Sequence, residues 1–129
     1  SMSYYFSKIV DDSFDDAVER VTARLADAGF GVLTTIDVSA TLKKKIGADF
    51  QRYTILGACN PGLAHKALQA EDKIGTMLPC NVIVQETADG KVEVAAVDPV
   101  ASMTAVENQN LGEVASQVQG MLKNVIEGL

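Results

Sequence analysis

An α+β fold, in which helices cover one face of a mainly antiparallel sheet of about five strands, is predicted from three observations. About five short runs are rich in β-branched and aromatic residues, which suit strands. Two long segments carry apolar residues at helical spacing, each with one apolar stripe. Asp89-Gly90 separates two of the β-rich runs and is a typical hairpin turn. The 129 residues suit a single domain, predicted over 2–129, with Ser1 interpreted as an expression-tag remnant.

A strand followed by a helix is predicted at the start of the chain. Residues 3–10 favour a strand, and residues 11–13 then supply side chains that cap helices. From Phe14 the apolar residues recur every three or four positions, and Gly29 suits the position just after the helix. The stripe consists of Phe14, Ala17, Val18, Val21, Leu25 and Ala28.

A second strand and a short helix are predicted next. Residues 30–38 favour the strand, and residues 42–46 favour the helix. Either Asp37 or Ser39 would cap this helix, and Gly47 would close it.

A third strand, over 52–59, is predicted to lead directly into a helix. Asn60 would cap this helix, and Pro61 would be its first residue, because proline is tolerated where no backbone donor is needed. Its apolar stripe is Leu63, Ala64, Ala67 and Leu68.

A hairpin and a long helix are predicted for the remainder. The strands of the hairpin are predicted over residues 81–87 and 91–97, and Asp98-Pro99 ends the second strand. The helix is expected from about Leu111. Its stripe is Leu111, Val114, Ala115, Val118, Met121, Leu122, Val125 and Ile126.

Composition narrows the classes of partner. The net charge is −6, whereas nucleic acids and anionic membranes recruit basic patches, so we predict neither as a partner. No apolar stretch approaches the roughly 20 residues of a membrane span. Two cysteines and the lack of a secretory pattern predict free thiols in the cytoplasm.

The two cysteines are the most informative residues for function. They lie in Cys59-Asn60-Pro61, where a strand gives way to a helix, and in Pro79-Cys80-Asn81, where the next strand begins. A thiol near a helix N-terminus can be stabilised as a thiolate, which makes Cys59 the candidate nucleophile. Small buried residues that end strands are the simpler interpretation of both cysteines.

Several uncommon strings in the right order give the chain a family resemblance. They include Gly29-Phe30-Gly31-Val32-Leu33, Ile55-Leu56-Gly57-Ala58-Cys59-Asn60-Pro61 and Ile74-Gly75-Thr76-Met77-Leu78-Pro79-Cys80-Asn81-Val82. The chain resembles domain-of-unknown-function family 302, small prokaryotic proteins of unassigned activity. The resemblance implies a TBP-like fold of strand, helix, four strands and helix, and a homodimer. The short helices at 42–46 and 61–70 would then be insertions.

Three functions remain open from the sequence. The first is a small ligand bound in a pocket lined by Cys59, Asn60, Pro61, Cys80 and Asn81, with Asp37 and His65 as further candidates. The second is a redox or nucleophilic enzyme that uses Cys59, with Cys80 as its resolving partner. The third is a structural or interaction homodimer.

The homodimer has support of its own in the residue pattern. Helices on one side of the sheet leave the other side to water or to a partner, and Tyr4 and Phe6 make that outer side apolar.

No metal or cofactor is predicted. Zinc accepts a set such as Cys59, Cys80, His65 and Asp37, but the spacing of His65 from Cys59 matches no finger pattern. His65 also lies opposite the apolar stripe of its helix, which predicts that it points away from the core.

Overall fold

The computed structural model describes residues 3–129 and contains one antiparallel sheet with strand order β1-β5-β4-β3-β2. The strands are β1 (Tyr5–Val10), β2 (Gly31–Asp37), β3 (Tyr53–Cys59), β4 (Cys80–Glu86) and β5 (Val92–Val97). The helices are α1 (Phe14–Asp27), α2 (Val38–Ile46), α3 (Pro61–Ala70), α4 (Pro99–Ser102) and α5 (Gln109–Glu127), with a 3-10 helix over Asp72–Met77. The interpretation of Ser1 lies outside the described residues.

The predicted α+β, TBP-like fold is confirmed. The order is strand, helix, four strands and helix, with α2 and α3 inserted between strands. The two long helices, α1 and α5, pack on one face of the sheet, which we call the covered face. Their stripes meet valines of the central strands in one core, whose fully buried members include Val21, Leu25, Val82, Val84 and Leu122.

The opposite face of the sheet, which we call the open face, has a different character. One row of its outward residues crosses four strands in register as Ile36, Ile55, Ile83 and Ala95. Ile36 is 46% exposed, whereas Phe6 packs against the covered core. The expectation that Phe6 helps to form the outer surface is therefore wrong, because β1 turns that side chain inward.

The predicted caps are present, although two helices begin earlier than predicted. Helix α2 begins at Val38, not at residue 42, because the carboxylate of Asp37 accepts the Ala40 N–H at 2.9 Å. Ser39 lies inside the first turn and donates its hydroxyl to Asp37. Helix α5 begins at Gln109, after its cap Asn108.

A small second core accounts for two elements that the sequence patterns did not predict. The 3-10 helix buries Ile74 against Ala67 of α3 and Leu111 of α5, and α4 packs against α5 nearby. Asn108 joins these parts, because its side-chain amide donates to the carbonyl of Ala70 at 2.7 Å. Leu68, predicted to lie in the α3 stripe, is 45% exposed.

Within residues 3–129, none of the helices has the length and apolar character needed to span a membrane.

Candidate functional site

The two cysteines lie at one end of neighbouring strands. Cys59 is the last residue of β3, Cys80 is the first of β4, and Cys80 pairs directly with Ala58. Both thiols are free and half-buried, and both line a cavity on the covered face, between the sheet and α3 and α5. Asn60 lines the same cavity, so the structure brings three of the predicted site residues together.

This thiol cavity is too small for a metabolite. Its volume is about 40 Å³, which is room for a few water molecules, whereas ligand pockets usually measure about 300–1,000 Å³. The walls opposite the thiols are apolar side chains of the helices, among them Leu63, Leu111 and Val118. A small apolar space of this kind is typical of imperfect core packing.

Burial controls the chemistry of Cys80. Desolvation, and then the neighbouring Cys59, raise the pKa of the Cys80 thiol to about 11. Cys80 is therefore a neutral thiol at physiological pH and a poor nucleophile.

The remaining predicted residues serve other purposes. Asn60 accepts the Leu63 N–H at 3.0 Å and so caps α3, while Pro61, its first residue, is exposed. His65 is exposed on α3, as its position opposite the stripe predicts. Among residues 3–129, no group of histidine, cysteine and acidic residues could hold a metal ion.

Two of the predicted residues, Asn81 and Asp37, do not line the thiol cavity. Asn81 follows Cys80 directly in β4, and successive strand residues point to opposite faces, so Asn81 lies on the open face. Asp37 pairs with Thr54, while Cys59 pairs with Gly31 at the other end of β2, about 20 Å away along the strand.

A larger concavity lies on the open face, and we call it the open-face hollow. Its volume is about 380 Å³, which is within the range of ligand pockets. Ala95 contributes to its floor and is only 8% exposed, although α1 and α5 lie on the other side of the sheet. The lining residues are Tyr4, Tyr5, Tyr53, Asn81, Ile83, Gln85, Glu93, Ala95, Ala96 and Val97.

A chain of polar side chains runs along one end of the hollow. Tyr53, Gln85 and Glu93 occupy one register row across β3, β4 and β5. Gln51 donates from Nε2 to the Gln85 Oε1 at 2.8 Å, and Gln85 donates from Nε2 to the Glu93 Oε1 at 2.8 Å. These bonds orient the Glu93 carboxylate and leave its second oxygen, Oε2, outside the chain.

All three tyrosines of the protein line the hollow. Tyr4 and Tyr5 pack edge to face, with ring centroids 5.0 Å apart. Burial is the main cause that raises the pKa of Tyr53 above its usual value, and Tyr4 and Glu93 add to it, so its hydroxyl is neutral at physiological pH.

The sequence patterns did not predict this hollow. Its polar residues Tyr53, Gln85 and Glu93 are ordinary outward residues of three separate strands. Only their alternation marked them as sharing a face.

The fold and the comparisons together define the class of protein: an α+β domain with one antiparallel sheet and a TBP-like order of elements. A family model described as "Domain of unknown function DUF302" matches residues 6–129, and the chain belongs to this family. The structure is similar to a crystal structure of an uncharacterised conserved DUF302 protein from Bacillus stearothermophilus, with 26% identity, a TM-score of 0.91 and 98% of each chain covered. No curated protein matches the sequence.

Proposed function

We propose that this protein is a small-molecule-binding domain and that its ligand occupies the open-face hollow. The observation that supports the proposal is a concavity of about 380 Å³ with aromatic walls, an apolar floor and a few convergent polar groups. This combination is typical of small-molecule sites. The thiol cavity, with about one tenth of that volume, is the weaker candidate although the sequence pointed to it.

A homodimer is the second candidate function for the same face. The row of Ile36, Ile55 and Ile83 is continuous across β2, β3 and β4, and a second copy of the chain would remove it from water. A stable interface needs about 800 Å² from each partner, so most of the open face would have to take part. A ligand and a second copy would compete for this surface.

Thiol chemistry at Cys59 is the third candidate, supported by the cavity that the two thiols share. Cys80 is a weak resolving partner because the pKa of its thiol is raised to about 11. Alkylation of the native protein across pH, followed by mass spectrometry, tests this candidate. Labelling of Cys59 that is already fast near neutral pH, where an unperturbed cysteine reacts slowly, would support it. The free thiols also favour our proposal of a cytoplasmic protein.

A fragment screen by two-dimensional NMR tests the ligand-binding proposal. The panel contains anionic, neutral and cationic fragments, and the shifted backbone amides report where each one binds. We expect shifts to concentrate at open-face residues such as Asn81, Ile83 and Ala95. Shifts confined to the surroundings of Cys59 and Cys80, or no saturable shifts with any fragment, would refute the proposal.

A pair of matched variants tests where the fragments bind without relying on the assignment of the NMR spectrum. Ala95→Leu adds three heavy atoms to the floor of the hollow and should abolish fragment binding. Ala26→Leu makes the same change on the exposed surface of α1 and should leave binding intact. The amide spectrum of each variant shows whether it has folded.

A further inference from the structure

Resting on the proposed function, we infer that the ligand of the open-face hollow carries an organic cation, such as an alkylammonium group, which binds beside Glu93 and the tyrosine rings. The argument depends on the charge of the lining, on its aromatic content and on the state of the Glu93 carboxylate.

The charge of the lining favours a cation. Among the described residues that line the hollow, Glu93 alone carries a formal charge at neutral pH. Its carboxylate is half-buried, so its interaction with a bound charge is screened less than at an exposed position. Within residues 3–129 no lysine or arginine lines the hollow, and an anionic ligand would therefore meet repulsion without compensation.

The aromatic content favours the same class of ligand. Tyrosine rings attract cations through their electron-rich faces, and sites with several rings recognise quaternary ammonium groups. Tyr4 and Tyr5 are adjacent at the start of β1, and Tyr53 belongs to β3, so rings from two separate parts of the sheet line the hollow.

The Glu93 carboxylate is already oriented for binding. Gln85 Nε2 donates a hydrogen bond to Glu93 Oε1 at 2.8 Å, and Gln51 Nε2 in turn donates one to Gln85 Oε1. Because the carboxylate is fixed before the ligand arrives, less side-chain entropy is lost on binding. The remaining oxygen, Oε2, is the group that we expect to face the cation.

A charge series of three probes of similar shape tests this inference. Choline is the cation, 3,3-dimethyl-1-butanol is its uncharged carbon isostere, and 3,3-dimethylbutyrate is the anion. Affinities are measured by NMR titration of the full chain at low salt. We expect choline to bind about tenfold more tightly than the alcohol, and the anion to bind more weakly than both.

Glu93→Gln and Glu86→Gln form the matched pair of variants. Glu93→Gln should remove the preference for choline while leaving the affinity for the alcohol within about twofold. Glu86 belongs to β4 but does not line the hollow, so Glu86→Gln should retain the preference. Tyr53→Leu, which removes one ring, should weaken choline more than the alcohol.

The outcomes distinguish this inference from the proposed function. Equal binding of choline and the alcohol in the hollow would overturn the inference and leave the proposed function standing. A preference for choline that survives in Glu93→Gln would also overturn it. No saturable binding of any probe, together with a negative fragment screen, would overturn both.

Discussion

The two faces of the sheet differ in what they place beside the same strands. In β4, Val82 points to the covered face and is fully buried under the helices, while its neighbour Ile83 points to the open face and is only half-buried. Both cysteines line a space of about 40 Å³ between the sheet and the helices, and the open face holds the hollow of about 380 Å³. The two cysteines and the ligand-sized space therefore occur in different places, and the rarity of a side chain in the sequence did not indicate where the larger space lies.

The largest effect on stability that we expect comes from substitution of Gly57, because Thr34 and Pro79 pack closely against this glycine. A Cβ atom at this position would lie 2.2 Å from Thr34 Oγ1 and 2.8 Å from Pro79 Cγ. We expect Gly57→Ala to lower the free energy of unfolding by about 3 kcal/mol, because the Pro79 ring cannot rotate away. Urea denaturation measures the change.

Two further variants check the cause. Gly31→Ala, in the adjacent strand, adds a Cβ where no atom lies within 4 Å and should change stability by less than about 0.5 kcal/mol. Adding Thr34→Ala to Gly57→Ala should recover about 1 kcal/mol. Additive effects in this double variant would show that Thr34 is not the obstruction.

The next effect compares the two faces directly. Val82→Ala removes two methyl groups from the covered core and should cost about 2–3 kcal/mol. Ile83→Ala removes more atoms from the open face but should cost only about 1 kcal/mol, since its side chain is partly hydrated in the folded state. Denaturation at two protein concentrations gives both values.

The difference between the two variants would disappear if a second copy of the chain covered the open face in solution. A loss for Ile83→Ala as large as that for Val82→Ala, together with stability that rises with protein concentration, would establish the homodimer. Sedimentation of the wild-type protein would then show the dimer independently.

A third effect, which depends on pH, is expected at Cys80. Its thiol has a folded-state pKa of about 11, raised from an ordinary value of 9.0, so the neutral form is favoured by folding. The corresponding stability is complete below pH 9 and is lost as the pH rises from about 9 to 11, because the unfolded chain releases the proton first. The loss should be on the order of 2 kcal/mol.

Cys80→Ala provides the reference, since lysines and tyrosines titrate in both proteins. The stability advantage of the wild type over Cys80→Ala should shrink between pH 9 and 11. A stability difference that stays constant across this range would mean that the Cys80 thiol is hydrated in the folded state. Water would then reach this part of the covered face.

Local chemistry determined much of the fold. The stripe from Phe14 to Leu25 specified α1 and its buried side, because only a helix places those positions on one face. Asn60 and Pro61 specified the start of α3, because an amide cap and a proline at the first position satisfy the helix end. Asp89-Gly90 specified the turn between β4 and β5, where Gly90 has a φ of +79°.

The sequence patterns missed elements whose stability comes from contacts between distant segments. The 3-10 helix has no side-chain cap and depends on Ile74, which is buried against α3 and α5. Helix α4 is only four residues long and packs against α5. Contacts between distant segments leave no apolar periodicity within a single segment, so no local sequence pattern could indicate them.

The sequence by itself determined the class of fold, the starts of α1 and α3 and the position of both thiols at strand ends. Only the tertiary structure decided which residues line the same cavity, because that depends on strand order and register. Cys80 and Asn81 are neighbours in the chain, yet the pleat sends them to opposite faces. Tyr5, Tyr53 and Glu93 are far apart in the chain, yet the order β1-β5-β4-β3 brings them around one hollow.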